Sequence, residues 1–220
     1  MGSWLTKKFD LVFGVLAIIE LIFVVYFPEG RVVTKPLIMI TLFGYYFLSS
    51  NRKDRLFLTA LFFAFLGDTF LLSDDLFLFG LGSFLVMQLL YAICFYKQSG
   101  LLNTVKTIGI VLVITSTVVV LMQILPSTGP DLKLPVIVYT SAIALMAVTA
   151  IGRNHIPIDQ YRLILFGVVA FLISDSLLGI NKFGGGFELA GLLVMSTYIL
   201  AQYLIVKGYL RYEASNKEGS

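Results

Sequence analysis

The chain has 220 residues, of which 58% are hydrophobic and only 13% are charged, and its net charge is +3. Soluble domains carry about 25% charged residues, so this chain has too few charges to cover a surface that faces water. The composition therefore predicts a protein embedded in lipid, and the small net charge gives no indication of nucleic-acid binding.

Apolar runs follow one another along the whole chain. A transmembrane helix needs about 20 mostly apolar residues. Such runs lie at 9–27, 33–50, 55–73, 77–96, 104–125, 133–151, 161–179 and 187–208. Short segments with Pro, Gly or charged residues separate them. We therefore expect an all-α polytopic membrane protein, with one transmembrane domain over 1–220, eight transmembrane helices and a polar C-terminal tail at 211–220.

The Lys and Arg residues predict the orientation of these helices, because cytoplasmic loops are enriched in them. Twelve lie on the side that holds both termini: Lys7, Lys8, Arg52, Lys53, Arg55, Lys97, Lys106, Arg153, Arg162, Lys207, Arg211 and Lys217. Four lie on the other side: Arg31, Lys35, Lys133 and Lys182. We therefore expect both termini in the cytoplasm.

A short motif occurs once in each half of the chain. A small residue, an aspartate and a hydroxyl residue stand together in Gly67-Asp68-Thr69 and in Ser174-Asp175-Ser176. Two leucines and then a Leu-Val-Met triplet follow each copy at nearly the same spacing. This pattern predicts two parallel four-helix repeats, 1–100 and 101–210, related by an axis along the membrane normal.

Four ionisable residues lie inside the predicted helices, where a charge costs roughly 2.5–3.5 kcal/mol. They are Glu20, Lys35, Asp68 and Asp175. At 1.5 Å per residue, both aspartates should lie roughly 20 Å from the cytoplasmic ends of their helices. Lys35 opens its helix from the opposite side, so it should share their layer. The residues alone also allow hydrated or helix-capping aspartates, a snorkelling Lys35, and a Glu20 that is either a pocket residue or an interhelical hydrogen-bond partner.

Other polar side chains in the predicted helices are Gln88, Tyr91 and Tyr139, and Tyr198 and Gln202 share one helix face. Taken singly, such residues are more often contacts between helices than parts of a site. The single cysteine, Cys94, lies in an apolar run, and the single histidine, His155, lies in a polar connection. Neither residue suits a metal centre or Cys–His catalysis, so we expect no metal and no cofactor.

These motifs resemble those of the YhhN-like membrane proteins, the lysoplasmalogenases. The resemblance rests on Ile173-Ser174-Asp175, Asn181-Lys182-Phe183, Met195-Ser196-Thr197-Tyr198 and Ala201-Gln202, together with Gly67-Asp68, Lys35 and Tyr139. It covers nearly the whole chain. One departure concerns the fourth helix, where some relatives carry histidine and this chain has Gln88, which leaves hydrogen bonding rather than proton transfer to that position.

The resemblance implies hydrolysis of the vinyl ether bond of a lysoplasmalogen to a fatty aldehyde and a glycerophosphoethanolamine or glycerophosphocholine. It implies a multi-pass protein of the bacterial inner membrane, with a lysophospholipid as substrate, membrane lipid as surroundings and no cofactor. Asp68 and Asp175 would be the catalytic acid and base, in either assignment. The substrate-binding residues would be Lys35, Gln88, Tyr139, Asn181, Lys182, Tyr198 and Gln202.

Two other classes of function fit parts of the pattern. Parallel repeats with paired intramembrane carboxylates also suit a proton-coupled transporter of a small or lipid-like substrate. A lipid-binding or scaffolding protein fits less well, because such a protein has no need of two costly aspartates. The residues alone leave enzyme and transporter equal, and the resemblance favours the enzyme.

Overall fold

The structure is a computed structural model that describes residues 2–215, with side chains described from residue 8 onward. Eight α-helices make up this part of the chain. They are α1 (Gly2–Tyr26), α2 (Arg31–Ser49), α3 (Arg55–Phe70), α4 (Phe77–Tyr96), α5 (Thr104–Ile124), α6 (Pro130–Gly152), α7 (Ile158–Phe183) and α8 (Ala190–Ser215). The all-α prediction and the predicted number of helices are therefore confirmed for the described residues.

Seven of these helices are long and apolar enough to cross a membrane. The exception is α3, which has 16 residues. It is roughly 24 Å long at 1.5 Å per residue, whereas the hydrocarbon core is about 30 Å thick. The predicted segment 55–73 is too long, because α3 ends at Phe70 in a turn that leads to the acidic 3₁₀ helix Asp74–Leu76.

Two further boundaries differ from the sequence prediction. Helix α7 continues to Phe183, so Asn181 and Lys182 lie in its last turn rather than in a connection. The turn that follows contains Gly185 and Gly186 at φ +101° and +75°, a backbone region that glycine enters without strain. Helix α8 continues to Ser215, so the first half of the predicted polar tail is helical, and 216–220 lie outside the described residues.

The helices form a closed series of neighbours. Helices α1, α2, α3, α4, α6, α7 and α8 pack in that order, and α8 closes the series against α1. Helix α5 stands outside it, against α6 and α7, and only Val113 and Ile124 of α5 are buried. The core of the protein therefore lies inside the seven-helix series, and α5 covers the seam between α6 and α7 from outside that series.

The tightest helix pair in the series is α7 with α8. A Cβ at Gly167 would come within 2.9 Å of the Ala201 carbonyl oxygen, and a Cβ at Gly208 would come within 3.1 Å of the Ile164 nitrogen. Small residues let transmembrane helices approach closely, which replaces the hydrophobic driving force that lipid removes. This contact fixes α8, which carries Tyr198 and Gln202, against α7, which carries Asp175.

Candidate active site

Asp68 lies in the last turn of α3 and is 1% exposed. Its Oδ2 accepts a hydrogen bond of 2.8 Å from the Tyr198 hydroxyl of α8. Its Oδ1 lies 3.6 Å from the Lys35 Nζ of α2. Both oxygens of this carboxylate are therefore engaged, one by a neutral donor and one by a buried cation.

A second ion pair lies beside Lys35. Glu20 of α1 is fully buried, and its Oε1 lies 3.1 Å from the Arg31 Nε, while Thr34 donates to its Oε2. Glu20 is thus an interhelical partner, the second of the two readings left open by the sequence. Its partner was missed, although Arg31, Thr34 and Lys35 at spacings of three and four residues could have indicated a polar face on α2.

Asp175 is half-buried on α7 and has different surroundings. The Tyr139 hydroxyl of α6 donates to its Oδ2, and the Gln88 Nε2 of α4 lies 3.5 Å from the same oxygen. No hydrogen bond from the described residues reaches its Oδ1, and no cation pairs with it. Asp175 therefore has one oxygen free for a bound molecule.

A cavity of about 500 Å³ opens beside Asp175, between α5, α6 and α7. Its walls are mainly aliphatic, and Tyr139 and Asp175 stand among them. Phe77 and Leu81 of α4 close one side. Ligand sites are commonly apolar cavities of about 300–1,000 Å³ with a few polar groups, so this cavity suits an apolar chain that carries one reactive polar group.

Lys182 stands at one end of the cavity, in the last turn of α7. Its Nζ lies 2.5 Å from the Asp74 Oδ1 and 5.0 Å from the centre of the Phe77 ring. Lys182 is exposed, so it offers a positive charge where the cavity meets solvent. Asn181 precedes it in the same turn but is not among the residues that line the cavity.

Tyr198 and Gln202 share one face of α8, as predicted, but they do not line this cavity. Tyr198 binds Asp68, and the Gln202 Oε1 accepts a hydrogen bond of 2.9 Å from the Tyr91 hydroxyl. Gln88 is fully buried, and its Oε1 has no hydrogen-bond partner among the described residues. Of the predicted binding residues, the structure thus brings Gln88, Tyr139 and Lys182 to Asp175 or its cavity.

Aromatic packing connects the two aspartate clusters. The Phe84, Phe171 and Tyr198 rings contact one another at centroid distances of 5.8–6.4 Å. Phe171 lies one turn before Asp175 on α7, and Tyr198 binds Asp68. No hydrogen bond or ion pair joins the two carboxylates within the described residues. That both act on one bound molecule remains a prediction.

Comparison with known proteins assigns the chain to a family. The sequence model of the YhhN family matches residues 30–209. Two curated relatives named lysoplasmalogenase, from Mycobacterium bovis and Mycobacterium tuberculosis, are each 29% identical over 136 residues, which cover 60% of this chain and 51% of the relative. The chain thus spans about half the length of the curated relatives it matches. No solved structure gives a significant match. Since the family match covers most of the chain and all of the helices α2 to α7, this protein belongs to the YhhN family.

Proposed function

We propose that this protein is a lysoplasmalogenase, which hydrolyses the vinyl ether bond of a lysoplasmalogen. The family membership and the two relatives of that name support the reaction class. The observation that carries the proposal for this chain is the apolar cavity beside Asp175, whose carboxylate has a free oxygen. A single long chain with a reactive polar group near its head is the kind of molecule that such a cavity fits.

The substrate then has a defined direction in the cavity. Its alkenyl chain lies between the aliphatic faces of α5, α6 and α7, and its vinyl ether lies at Asp175. Its phosphate reaches Lys182, which is exposed at the end of the cavity and exchanges its ion pair with the exposed Asp74 for one with the phosphate. Lys35 is less suited to this contact, because it is buried against Asp68 and does not line the cavity.

The reaction needs a proton donor that contacts carbon. Transfer of a proton from the Asp175 carboxyl group to the vinyl carbon remote from oxygen breaks the C=C double bond and leaves an oxocarbenium ion. A water molecule adds to the adjacent carbon and gives its proton back to the Asp175 carboxylate, which forms a hemiacetal. The C–O bond to glycerol then breaks, and the hydroxyl proton of the hemiacetal moves to the glycerol oxygen as the aldehyde forms. One water is consumed, and Asp175 is regenerated.

The neighbours of Asp175 support this role. Tyr139 and Gln88 hold Oδ2, so Oδ1 is directed by two contacts and remains free for proton transfer. Gln88 is fully buried and does not line the cavity, so its part is to orient the Asp175 carboxyl group from behind. General acid–base transfer of this kind contributes about 10²–10⁴-fold, and glycosidases pass through a similar oxocarbenium-like state.

Asp68 has a different part in this proposal. Because its two oxygens are held by Tyr198 and Lys35 and it does not line the cavity, it acts as a positioning residue. It fixes Tyr198, whose ring packs on Phe171, one turn from Asp175. The sequence assigned the acid and base roles to two aspartates, whereas this geometry favours one aspartate for both proton transfers.

We also propose that all eight helices cross the bacterial inner membrane, with both termini in the cytoplasm. The support is the excess of Lys and Arg on that side, together with the seven helices that meet the length of a bilayer. The short α3 would complete its crossing with the turn that follows it. A reporter that is active only in the cytoplasm should be active when it is fused to the C-terminus. Activity of a C-terminal reporter that works only in the periplasm would contradict this orientation.

The test of the function is direct. Purified protein is incubated with a lysoplasmalogen, and free fatty aldehyde is measured, with the ester analogue of the same chain length and headgroup as the control. We expect aldehyde from the vinyl ether and no fatty acid from the ester. Absence of aldehyde, combined with uptake of the intact lipid into proteoliposomes, would overturn the proposal in favour of a carrier.

A further inference from the structure

The end of the cavity beside Asp175 carries an ion pair with an aromatic ring next to it. The Lys182 Nζ lies 2.5 Å from the Asp74 Oδ1, so the pair joins the last turn of α7 to the 3₁₀ helix that precedes α4. The same Nζ lies over the Phe77 ring, 5.0 Å from its centre. A primary ammonium group, that of Lys182 itself, is therefore held here between a carboxylate and the face of a ring.

The Phe77 ring is held in place by a second ring. Phe183 meets it edge-on, with 6.2 Å between the ring centres and 77° between the planes. Both rings line the cavity. Edge-to-face pairs are a favoured aromatic geometry, and a cation within about 6 Å of a ring centre is attracted to the ring face. The face of Phe77 is thus positioned for a cation at the point where the cavity meets solvent.

Asp74 can exchange its partner at small cost. Its side chain is 91% exposed, and that of Lys182 is 37% exposed. Ion pairs between exposed side chains contribute little to the stability of a protein. A bound molecule that carries both charges can therefore replace the contact between Asp74 and Lys182 without disturbing the fold.

The headgroup of the proposed substrate carries both charges. Its phosphate takes Lys182 away from Asp74, which leaves this carboxylate without its cation. In an ethanolamine headgroup, a primary ammonium follows the phosphate oxygen after two methylene groups. This ammonium has the same chemistry as the Lys182 Nζ, so it can occupy the place beside Asp74 and Phe77 that Lys182 leaves.

We propose that Asp74 and Phe77 select lysoplasmalogens whose headgroup carries an amine, with ethanolamine preferred to choline. This inference rests on the proposed function, from which it takes the direction of the substrate in the cavity. A primary ammonium has three N–H donors for the Asp74 carboxylate. The quaternary ammonium of choline has none, but it still meets the face of Phe77. A glycerol headgroup has no cation and should bind least well.

The test measures binding separately from turnover. The ligands are lysophospholipids with a saturated alkyl ether chain of one length and a phosphoethanolamine, phosphocholine or phosphoglycerol headgroup. They lack the C=C double bond that the reaction protonates. The full chain is purified in a neutral detergent, and the rise of its unfolding midpoint with ligand concentration gives an apparent affinity. We expect the ethanolamine lipid to bind about three- to fivefold more tightly than the glycerol lipid, as suits an exposed ion pair, with the choline lipid between them.

Asp74→Asn should remove the preference for ethanolamine over glycerol. The ethanolamine lipid loses the carboxylate that binds its ammonium, whereas the glycerol lipid no longer competes with Asp74 for Lys182. Because Asp74 is exposed, this variant should fold normally. Asp75→Asn is the matched control, since it removes the same charge from the neighbouring exposed aspartate. It should keep the wild-type preference, which separates a contact at Asp74 from a general effect of charge on an anionic headgroup.

Phe77→Leu should give a different pattern. The ring face is the contact that remains for a quaternary ammonium, so the affinity for the choline lipid should fall about two- to fivefold. The ethanolamine lipid keeps its bonds to Asp74 and should lose less. The two variants together thus assign the carboxylate to the primary ammonium and the ring to the quaternary one.

The outcomes separate this inference from the proposed function. Equal affinities of the wild type for the three lipids, no saturable rise with any of them, or the same preference in the wild type and Asp74→Asn would overturn the inference, while aldehyde release from a lysoplasmalogen would still support the enzyme. A preference that Asp74→Asn removes and Asp75→Asn keeps would support the headgroup site even if no aldehyde is released, and in that case only the proposed reaction would fail.

Discussion

The two aspartates of the recurring motif have almost opposite surroundings. Asp68 is closed in, with one oxygen on Tyr198 and the other facing Lys35. Asp175 lines an open apolar cavity, and within the described part of the chain it binds only neutral donors and keeps one oxygen free. The same residue type in the same local sequence is thus enclosed by partners in one half of the chain and lines a cavity in the other.

This difference follows from which helix stands opposite each aspartate. The neighbour of Asp68 is α2, which brings Lys35, whereas the neighbour of Asp175 is α6, which brings Tyr139. Helix α5 lies outside the series of packed helices, so it leaves space beside Asp175 that is filled beside Asp68. The two copies of the motif therefore lie in different surroundings in the folded protein.

The largest expected effect on activity is that of Asp175→Asn. Asparagine keeps the size of the side chain and can still accept from Tyr139, but it supplies no acidic proton. We expect aldehyde release to fall about 10²–10⁴-fold, with the unfolding midpoint nearly unchanged. Asp131→Asn, at an exposed aspartate on α6, is the matched control and should retain full activity. Normal aldehyde release by a folded Asp175→Asn variant would mean that Asp175 is not the proton donor.

Asp68→Asn should have its main effect on stability. Removal of the carboxylate leaves Lys35 buried without its partner, which typically costs about 3–5 kcal/mol. The unfolding midpoint in detergent should therefore fall sharply, and the double variant Asp68→Asn/Lys35→Met should recover most of the loss. If the single variant has the same unfolding midpoint as the wild type, the Lys35–Asp68 ion pair does not contribute to the stability of the protein.

The two tyrosines offer a finer version of the same comparison. Tyr139→Phe removes a donor to Asp175, so we expect a loss of aldehyde release of roughly 10- to 150-fold, since hydrogen bonds to charged groups contribute about 1.5–3 kcal/mol. Tyr198→Phe removes a donor to Asp68 and should lower the unfolding midpoint with little change in the rate per folded molecule. Equal effects of both variants on both measurements would argue against separate roles.

The smallest effect should come from filling the cavity. Val120→Phe places a ring in the cavity wall on α5, whereas Val118→Phe on the same helix does not line the cavity and is the control. Because a packed site resists added volume, we expect KM for a long-chain lysoplasmalogen to rise roughly three- to tenfold in Val120→Phe, with a smaller rise for a short-chain one. If Val120→Phe changes KM equally for the long-chain and the short-chain substrate, the alkenyl chain does not lie against this part of the cavity wall.

The sequence was sufficient to predict the helices and the ionisable residues that are costly to bury inside them. The apolar runs and the expense of burying Asp68, Asp175, Lys35 and Glu20 depend only on the chain and the bilayer. The ends of α3 and α7 were predicted less well, because Leu71 and Leu72 favour a helix but lie in the turn after α3, whereas Asn181 favours a turn but lies in the last turn of α7. These are local ambiguities that tertiary contacts resolve.

The sequence did not show which of the buried charged residues pair with each other. Glu20 pairs with Arg31, and Lys35 pairs with Asp68, only because α1, α2 and α3 are adjacent in the bundle. The exclusion of α5 from the series of packed helices was equally hidden, since its hydrophobicity resembles that of the other helices. The difference between the two aspartates is therefore a property of packing order rather than of motif.

The central claim is that Asp175 performs the chemistry while Asp68 holds the structure. The most direct measurement is single-turnover release of aldehyde from a lysoplasmalogen by two folded proteins, Asp175→Asn and the double variant Asp68→Asn/Lys35→Met. We expect the first to be nearly inactive and the second to keep a substantial part of the wild-type rate. Loss of activity in the second, with release preserved in the first, would contradict it.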